Sequence, residues 1–384
     1  MRRPLVLLPE VFRTAGGVQT YGKMLLRAFC DIAGEGPAEP QILLLNDRAR
    51  DVDSRYVGGG ANLVAAFGGS RLRFALSALR AVVAHRPDLV LLGHLNFAPL
   101  VPLLRRLCPG ASLWVVLYGI EAWRPLPRRS RRWLGLCDRF VSISLFTRER
   151  AVSVNGLDPE RFLVLPGAVD PVWAAALEGA DVPPPALAPS GGGSLLTVTR
   201  LRASDAYKGV DLLLDALPGI AASFPEARCV VIGDGDDRAR LEARARRLAP
   251  GGLVEFRGRV SQEALTRAYE ECHLLVLPSR GEGFGLVHAE AAWLGRPAIG
   301  ARDGATPEVI EDGVTGRLVS GDDPAELATV VCDLLSEPRR LAVMGEAARS
   351  RARRRFAYDA FARDLGAAVA RAGGPRLSIP GRRA

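Results

Sequence analysis

Short runs of consecutive apolar residues alternate with longer stretches of helical period along most of this chain. Leu5–Leu8, Gln41–Leu45, Leu89–Leu92, Leu113–Leu117, Arg139–Ile143 and Phe162–Leu165 read as strands, with helical stretches such as Val18–Ile32 and Arg71–His85 between them. Unbroken apolar runs are what parallel strands need when helices cover both faces of their sheet. The rhythm stops between Leu177 and Gly193, where Pro183, Pro184, Pro185, Pro189 and Gly191–Gly193 leave no apolar period. It then restarts. Leu195–Thr199, Cys229–Ile232, Val254–Gly258, Leu274–Leu277, Pro297–Gly300 and Arg317–Val319 are strand candidates, with helices at Val210–Phe224, Arg238–Leu248, Gln262–Glu271 and Leu286–Leu294. Punctuation supports these bounds: Gly295 and Pro297 stop the Leu286 helix, Thr306-Pro307 caps another, and Asp323-Pro324-Ala325-Glu326 reads as a capping box.

The pattern predicts an α/β protein of two doubly wound, Rossmann-like domains facing each other across a cleft, with ligand at the carboxyl ends of the strands. The expected division is 1–176, a linker 177–193, a second domain 194–356, a helix 357–372 packing back towards the first domain, and a flexible tail 373–384. At 384 residues, each half is long enough for a core of its own.

Composition refines this picture in three ways. The net charge of +9 is uneven: residues 1–180 carry 23 Lys and Arg against 15 Asp and Glu, whereas residues 191–372 carry 25 against 26. Arginine supplies nearly all of the positive charge, so the two lysines, Lys23 and Lys208, stand out. The six cysteines lie singly in apolar segments without paired spacing, as reduced, buried thiols do. The first apolar run is too short for a signal peptide, and no window approaches eighteen uninterrupted apolar residues. A cytoplasmic protein is expected.

Candidate chemistry concentrates in Pro278-Ser279-Arg280-Gly281-Glu282-Gly283-Phe284-Gly285-Leu286-Val287-His288-Ala289-Glu290. Glycines after a strand end let backbone N–H groups approach phosphate oxygens, and the positive end of the helix that follows favours an anion there. Glu282 before the helix and Glu290 within it can accept hydrogen bonds from paired sugar hydroxyls. In the stretch Thr199 to Asp211, Arg200 closes a strand and Lys208 opens a helix, so both project from the carboxyl edge of the second sheet. Cations preorganised there stabilise a departing diphosphate more in the transition state than in the ground state.

Together these stretches resemble the retaining GT-B glycosyltransferases of family 4, whose pattern joins an Arg…Lys pair to Glu-x7-Glu. The resemblance extends through Ile232-Gly233-Asp234-Gly235, Val254–Gly258, Gly304–Val309 and Asp312–Gly316, and more weakly through Gly16–Gln19 and Ser144–Thr147, covering roughly residues 1–370. It implies an acceptor domain followed by a donor domain, a nucleoside-diphosphate sugar as donor and no metal or other cofactor. Carried over by position, it implies that Arg200 and Lys208 contact the diphosphate and Glu290 the ribose. Glu282, with backbone at Phe284 and Gly285, would hold the transferred sugar, Gly283 and Leu286 would also bind the donor, and Gly16 and Gly17 would approach the diphosphate from across the cleft. One position departs from the pattern: Tyr118, in Leu117-Tyr118-Gly119-Ile120-Glu121, stands where many members carry a histidine. Tyr118, Glu121 and His94 are therefore candidate acceptor or sugar contacts, whereas His288 is expected to face the core.

Two further stretches need a reading. Asp234-Gly235-Asp236 imitates a carboxylate metal motif, but a helix starts at once and a turn is expected instead. Trp123 to Trp133 holds five arginines between two tryptophans, which suits either a solvated helix start or contact with an anionic membrane. Nucleic acid is not expected, because no binding module accompanies the charge. The expected reaction is transfer of a sugar to a hydroxyl of a glycan, a lipid-linked or a small-molecule acceptor, with retention. The alternatives are a nucleotide-sugar 2-epimerase of the same architecture and a non-catalytic nucleotide-sugar-binding protein.

Overall fold

The computed structural model describes residues 3–35, 40–58, 63–178, 192–249 and 251–372. The chain divides into two compact units, the first formed by residues 1–176 with the segment from Tyr358 onwards, the second by residues 177–357. Of the expected linker, residues 179–191 lie outside the described residues, as does the tail 373–384.

The first unit is built on a parallel sheet of β1 (Pro4–Leu8), β2 (Gln41–Leu44), β3 (Val64–Ala66), β4 (Leu89–Leu92), β5 (Ser112–Leu117), β6 (Arg139–Ser142) and β7 (Phe162–Val164), in the order β3-β2-β1-β4-β5-β6-β7. Leu5 and Val6 of β1 sit opposite Gln41 and Ile42 on one side and Val90 and Leu91 on the other. Residues Leu5 to Leu8 and Leu89 to Leu92 are buried throughout, which explains their unbroken apolar runs. β3, which the apolar pattern does not reveal, is a three-residue edge strand of only half-buried or exposed positions. Ser144 caps the helix Leu145–Asn155 by accepting the Thr147 N–H at 3.0 Å, and Gly156 ends that helix in the left-handed conformation.

The closing helix Tyr358–Arg371 belongs to this first unit. Its Tyr358 hydroxyl donates to Asp31 Oδ2 at 2.6 Å, and the Phe361 ring meets Tyr21 edge-on at 5.4 Å, both on the helix Gly17–Glu35.

The second unit repeats the plan with β8 (Ser194–Val198), β9 (Arg228–Ile232), β10 (Val254–Gly258), β11 (Leu274–Leu277), β12 (Ala298–Ala301) and β13 (Gly316–Val319), ordered β10-β9-β8-β11-β12-β13 and parallel throughout. Its core joins Leu213, Leu217 and Ile220 of the helix Val210–Ser223 to Leu327, Val331 and Leu334 of the helix Pro324–Ser336, and the two helices pack directly against each other.

Two expected caps are corrected. Asp323 does accept the Ala325 and Glu326 N–H groups, but Glu326 turns away from it to accept the Ser320 N–H at 2.7 Å and pair with Arg302 at 2.6 Å, so the reciprocal half of the capping box is not made. Thr306 is the first residue of the helix Thr306–Val309 and not its cap, which is Ala305.

Candidate active site

At the carboxyl edge of the second sheet, three loops are locked together by glycines that admit no side chain. Lys208 closes the 3-10 turn Ala203–Lys208 that leads from β8 into the helix Val210–Ser223. Gly209 follows at φ 78°, and a Cβ built on it would lie 2.5 Å from the Pro278 carbonyl oxygen. The Arg280 N–H donates to the Tyr207 carbonyl at 2.9 Å, joining the same turn to the loop after β11. That loop is clamped in turn by the one after β12: the Ala305 N–H donates to the Glu282 carbonyl at 3.0 Å, and Gly304, at φ 74°, rests against the Glu282 backbone.

The result is an ion pair between residues 74 apart, with Lys208 Nζ at 2.6 Å from Glu282 Oε1. Their side chains are only 15% and 9% exposed. Burial by itself would raise the Glu282 carboxyl, but the Lys208 ammonium, by charge and by hydrogen bond, together with smaller contributions from His288 and Ser279, holds the group below the usual glutamate range. The Tyr207 ring lies 5.2 Å from the same ammonium. His288 is buried, its ring against Gly285, and desolvation pushes its pKa down, so it is neutral at pH 7. That agrees with the expected core-facing histidine.

Arg200 lies two residues beyond β8, half exposed, with Nη2 3.1 Å from Asp205 Oδ2. Its backbone is set by the turn after β9. A Cβ on Gly233 would fall 1.7 Å from the Thr199 carbonyl oxygen, and one on Gly235 2.0 Å from that of Leu201. The Asp234 and Asp236 carboxylates accept the N–H groups of Gly235 and Ala203, both at 3.0 Å, as a turn requires.

Gly283, Phe284 and Gly285 form the end of the Glu282 loop, Gly285 (φ 90°) standing immediately before the helix Leu286–Trp293. Phe284 is buried edge-on against Phe356 at 5.5 Å, which fixes the backbone on either side of it. Glu290 sits in the second turn of that helix, half buried, and its Oε2 accepts the Tyr269 hydroxyl at 2.7 Å. The structure thus brings Lys208 and Glu282 into contact, with Arg200 in the same connection between β8 and the helix Val210–Ser223 as Lys208, while Glu290 is engaged from the helix Gln262–Glu271. Tyr269 escaped the sequence reading. Its only signal is a tyrosine at a buried helical position ahead of β11.

The first unit gathers its candidates at the carboxyl ends of β1, β4 and β5. Asp47, fully buried, accepts the N–H groups of Val11, Phe12 and Arg13 at 2.8, 2.8 and 3.0 Å, and so shapes the loop that delivers Gly16 and Gly17 to the start of their helix. Thr14 donates to Glu10 in the same loop. His94 Nδ1 accepts the Asn96 N–H at 3.0 Å, which leaves the ring proton on Nε2. Desolvation lowers the His94 pKa, partly countered by Glu121.

Tyr118 is wedged between the Tyr21 ring, edge-on at 5.5 Å, and the His94 ring, stacked at 5.7 Å. Its hydroxyl is buried and makes no hydrogen bond among the described residues, so in this arrangement it packs and does not present a donor. Glu121 Oε1 accepts the Tyr118 N–H at 2.6 Å.

The arginine-rich stretch is rearranged relative to the sequence reading. Trp123 lies against Gly119 and meets Phe146 edge-on at 5.2 Å, and Trp133 packs partly into the core with Arg129 4.9 Å over its ring. Both tryptophans are thus half-buried and have packing partners. Arg128 and Arg131 stay exposed beside a depression of about 380 Å³ that Arg161 and Asp158 also line. Among the described residues, neither Arg128 nor Arg131 has an ion pair.

Comparison with known proteins shows the family of the chain. Residues 15–173 match the model of Glycosyltransferase Family 4, and residues 192–337 that of Glycosyl transferases group 1. The chain is 34% identical over 240 residues to D-inositol 3-phosphate glycosyltransferase 2 of Catenulispora acidiphila, covering 59% of this chain and 54% of that one. It is 34% identical over 149 residues to the GDP-mannose-dependent alpha-(1-6)-phosphatidylinositol monomannoside mannosyltransferase of Mycolicibacterium smegmatis, covering 37% of this chain and 39% of that one. These alignments span about half or less of the relatives' length.

Among solved structures, Anabaena HepE in complex with UDP and glucose superposes with a TM-score of 0.73 at 18% identity, covering 96% of this chain and all of that one. Sucrose-phosphate synthase of Thermosynechococcus elongatus gives 0.73 at 20%, covering 97% and 99%. At such identities the likeness concerns the fold, two Rossmann-like domains of GT-B type.

Proposed function

Because the chain belongs to the family-4 glycosyltransferases, we propose that it moves a sugar from a UDP- or GDP-sugar to an acceptor hydroxyl with retention at the anomeric carbon. The observation that carries this reading is the buried Lys208–Glu282 pair at the carboxyl edge of the second sheet. Without ligand the two charges neutralise each other. An entering diphosphate offers Lys208 a second anion to bind, and Glu282 then has lone pairs for the hydroxyls of the transferred sugar. As the glycosidic bond breaks, negative charge grows on the leaving oxygen. Lys208, Arg200 and the N-terminal amides of the helix Leu286–Trp293 stabilise it more than they stabilise the ground state.

The sugar carbon becomes oxocarbenium-like. Glu282 is engaged by Lys208 and Glu290 by Tyr269, so both acids are assigned to binding. The preferred mechanism is a same-face displacement in which the leaving phosphate helps deprotonate the acceptor, and it requires no metal. Gly16 and Gly17 are assigned to the donor diphosphate, and His94 and Glu121 to the acceptor or sugar. The relatives' names point to phosphorylated inositol or its lipids as the first acceptors to try.

Labelled UDP- and GDP-sugars test the reading directly: transfer to an acceptor supports it, whereas isomerised sugar or binding without turnover rejects it. In a thermal-shift screen, the cognate donor at 100 times its dissociation constant is expected to stabilise the protein by about 2.7 kcal/mol. No shift with any nucleotide sugar would count against a donor site.

We also propose a cytoplasmic protein that touches the anionic face of a membrane through Arg124, Arg128, Arg129, Arg131 and Arg132, a stretch without a single acid. No described helix is long and apolar enough to cross a membrane. The contact is electrostatic, worth about 1 kcal/mol per arginine near the surface. The Arg128→Ala/Arg131→Ala variant should bind phosphatidylglycerol vesicles about 30-fold more weakly than the parent. Equal sedimentation of both proteins with the vesicles would remove this contact.

A further inference from the structure

We infer that Tyr269 is the residue that makes the nucleotide site select ribose over 2′-deoxyribose, by fixing the orientation of the Glu290 carboxylate. The inference rests on the proposed contact between Glu290 and the donor ribose. A glutamate on a helix surface has three rotatable bonds, and ordering such a side chain costs conformational entropy. A carboxylate that must meet two neighbouring hydroxyls gains most when that order exists before the ligand arrives.

Here the order is built in. The Tyr269 hydroxyl donates to Glu290 Oε2 at 2.7 Å, a bond strengthened by the acceptor's charge. Tyr269 is itself fully buried, and its backbone is held as well: Arg296, 1% exposed, donates from Nε to the Tyr269 carbonyl at 3.0 Å and from Nη2 to that of Glu270 at 2.8 Å. Burial, and then the nearby Glu290 charge, raise the phenol well above its ordinary pKa, so it remains a donor at any working pH. The chain of contacts from Arg296 through the end of the helix Gln262–Glu271 to Glu290 thus leaves the carboxylate little freedom to reorient around a nucleotide that lacks one hydroxyl.

The test compares the affinities of UDP, GDP, dUDP and dGDP for the full-length protein by calorimetry. The wild type should prefer the ribonucleotide about 10- to 100-fold, the range of one or two unmade hydrogen bonds at a polar site. Tyr269→Phe, which removes one oxygen and no packing, should lose most of that preference by weakening ribonucleotide binding while leaving the deoxy form unchanged. In turnover it should raise the KM for donor with little change in kcat.

A purely structural role would weaken both forms equally and leave the preference intact, and that result would overturn the inference, as would a wild type without any preference. If the Phe variant does not fold, Glu290→Asp, which withdraws the carboxylate from Tyr269 but keeps its charge, must show the same collapse. Glu290→Ala separates this inference from the reading beneath it. Should that variant keep the ribose preference, the Glu290–ribose contact itself is wrong; should it lose the preference while Tyr269→Phe keeps it, only the role of Tyr269 fails.

Discussion

Lys208→Ala is expected to slow sugar transfer by about 10²- to 10³-fold, the usual loss when one preorganised charge is removed from a developing anion. The same change strands Glu282 as a buried carboxylate without its counter-charge, which typically costs about 3–5 kcal/mol. The two effects separate by pH. In the wild type the folded Glu282 pKa lies below its unfolded value, so the group contributes stability above the unfolded pKa that is lost as pH falls through the folded one. In Lys208→Ala, burial is the largest remaining influence, with only His288 and Ser279 acting against it, and raises the folded pKa, so the ionised carboxylate destabilises at neutral pH and protonation relieves it. The deficit in denaturant melts should therefore shrink as the pH is lowered through the acid range. The double variant Lys208→Met/Glu282→Gln should recover most of the stability and none of the activity. Wild-type turnover in Lys208→Ala would exclude Lys208 from the chemistry.

Gly233→Ala is expected to destabilise the second unit more than any conservative core change. The added Cβ would sit 1.7 Å from the Thr199 carbonyl oxygen, so backbone must move against backbone, with no flexible side chain to yield. Overpacking costs about 1–3 kcal/mol, and holding alanine at φ 140° costs a similar amount. A midpoint shift of this size in chemical denaturation, or loss of folded protein, is the expected result. Any variant that folds should also bind nucleotide poorly, because the Thr199–Leu201 segment carries Arg200. A variant as stable as the parent would mean that the two loops do not approach as described.

How far the site is legible depends on the range of the interactions that build it. Glu282, Gly283, Phe284, Gly285 and Glu290 lie in one run, and the glycine pattern around the acids marks it without any tertiary information. Lys208 is conspicuous because lysine is so rare in this chain, yet nothing in its neighbourhood says that it meets Glu282. That meeting depends on Gly209 against Pro278 and Arg280 against Tyr207. Tyr269 is harder still. A tyrosine on a helix ahead of a buried strand reads as core, and only the packing of that helix beside the Leu286 helix turns its hydroxyl onto Glu290. The packing partners of Trp123 and Trp133 are equally illegible, because residue type alone does not say that Phe146 meets the one and the core the other. The half-made capping box at Asp323 fails for a similar reason, since Ser320 and Arg302 compete for Glu326.

Read along the chain alone, the alternation of apolar runs and helical periods settles two doubly wound sheets, because burial on both faces of a parallel strand is written directly into consecutive residues. The glycine-flanked acids and the scarce lysine likewise single out the groups proposed to hold a sugar and a diphosphate. Which of those groups touch, and so which are neutralised, oriented or buried, was decided only in three dimensions. Charge pairing and hydrogen bonding act over a few ångströms between segments far apart in sequence, and the glycine-mediated approaches of their backbones set those distances.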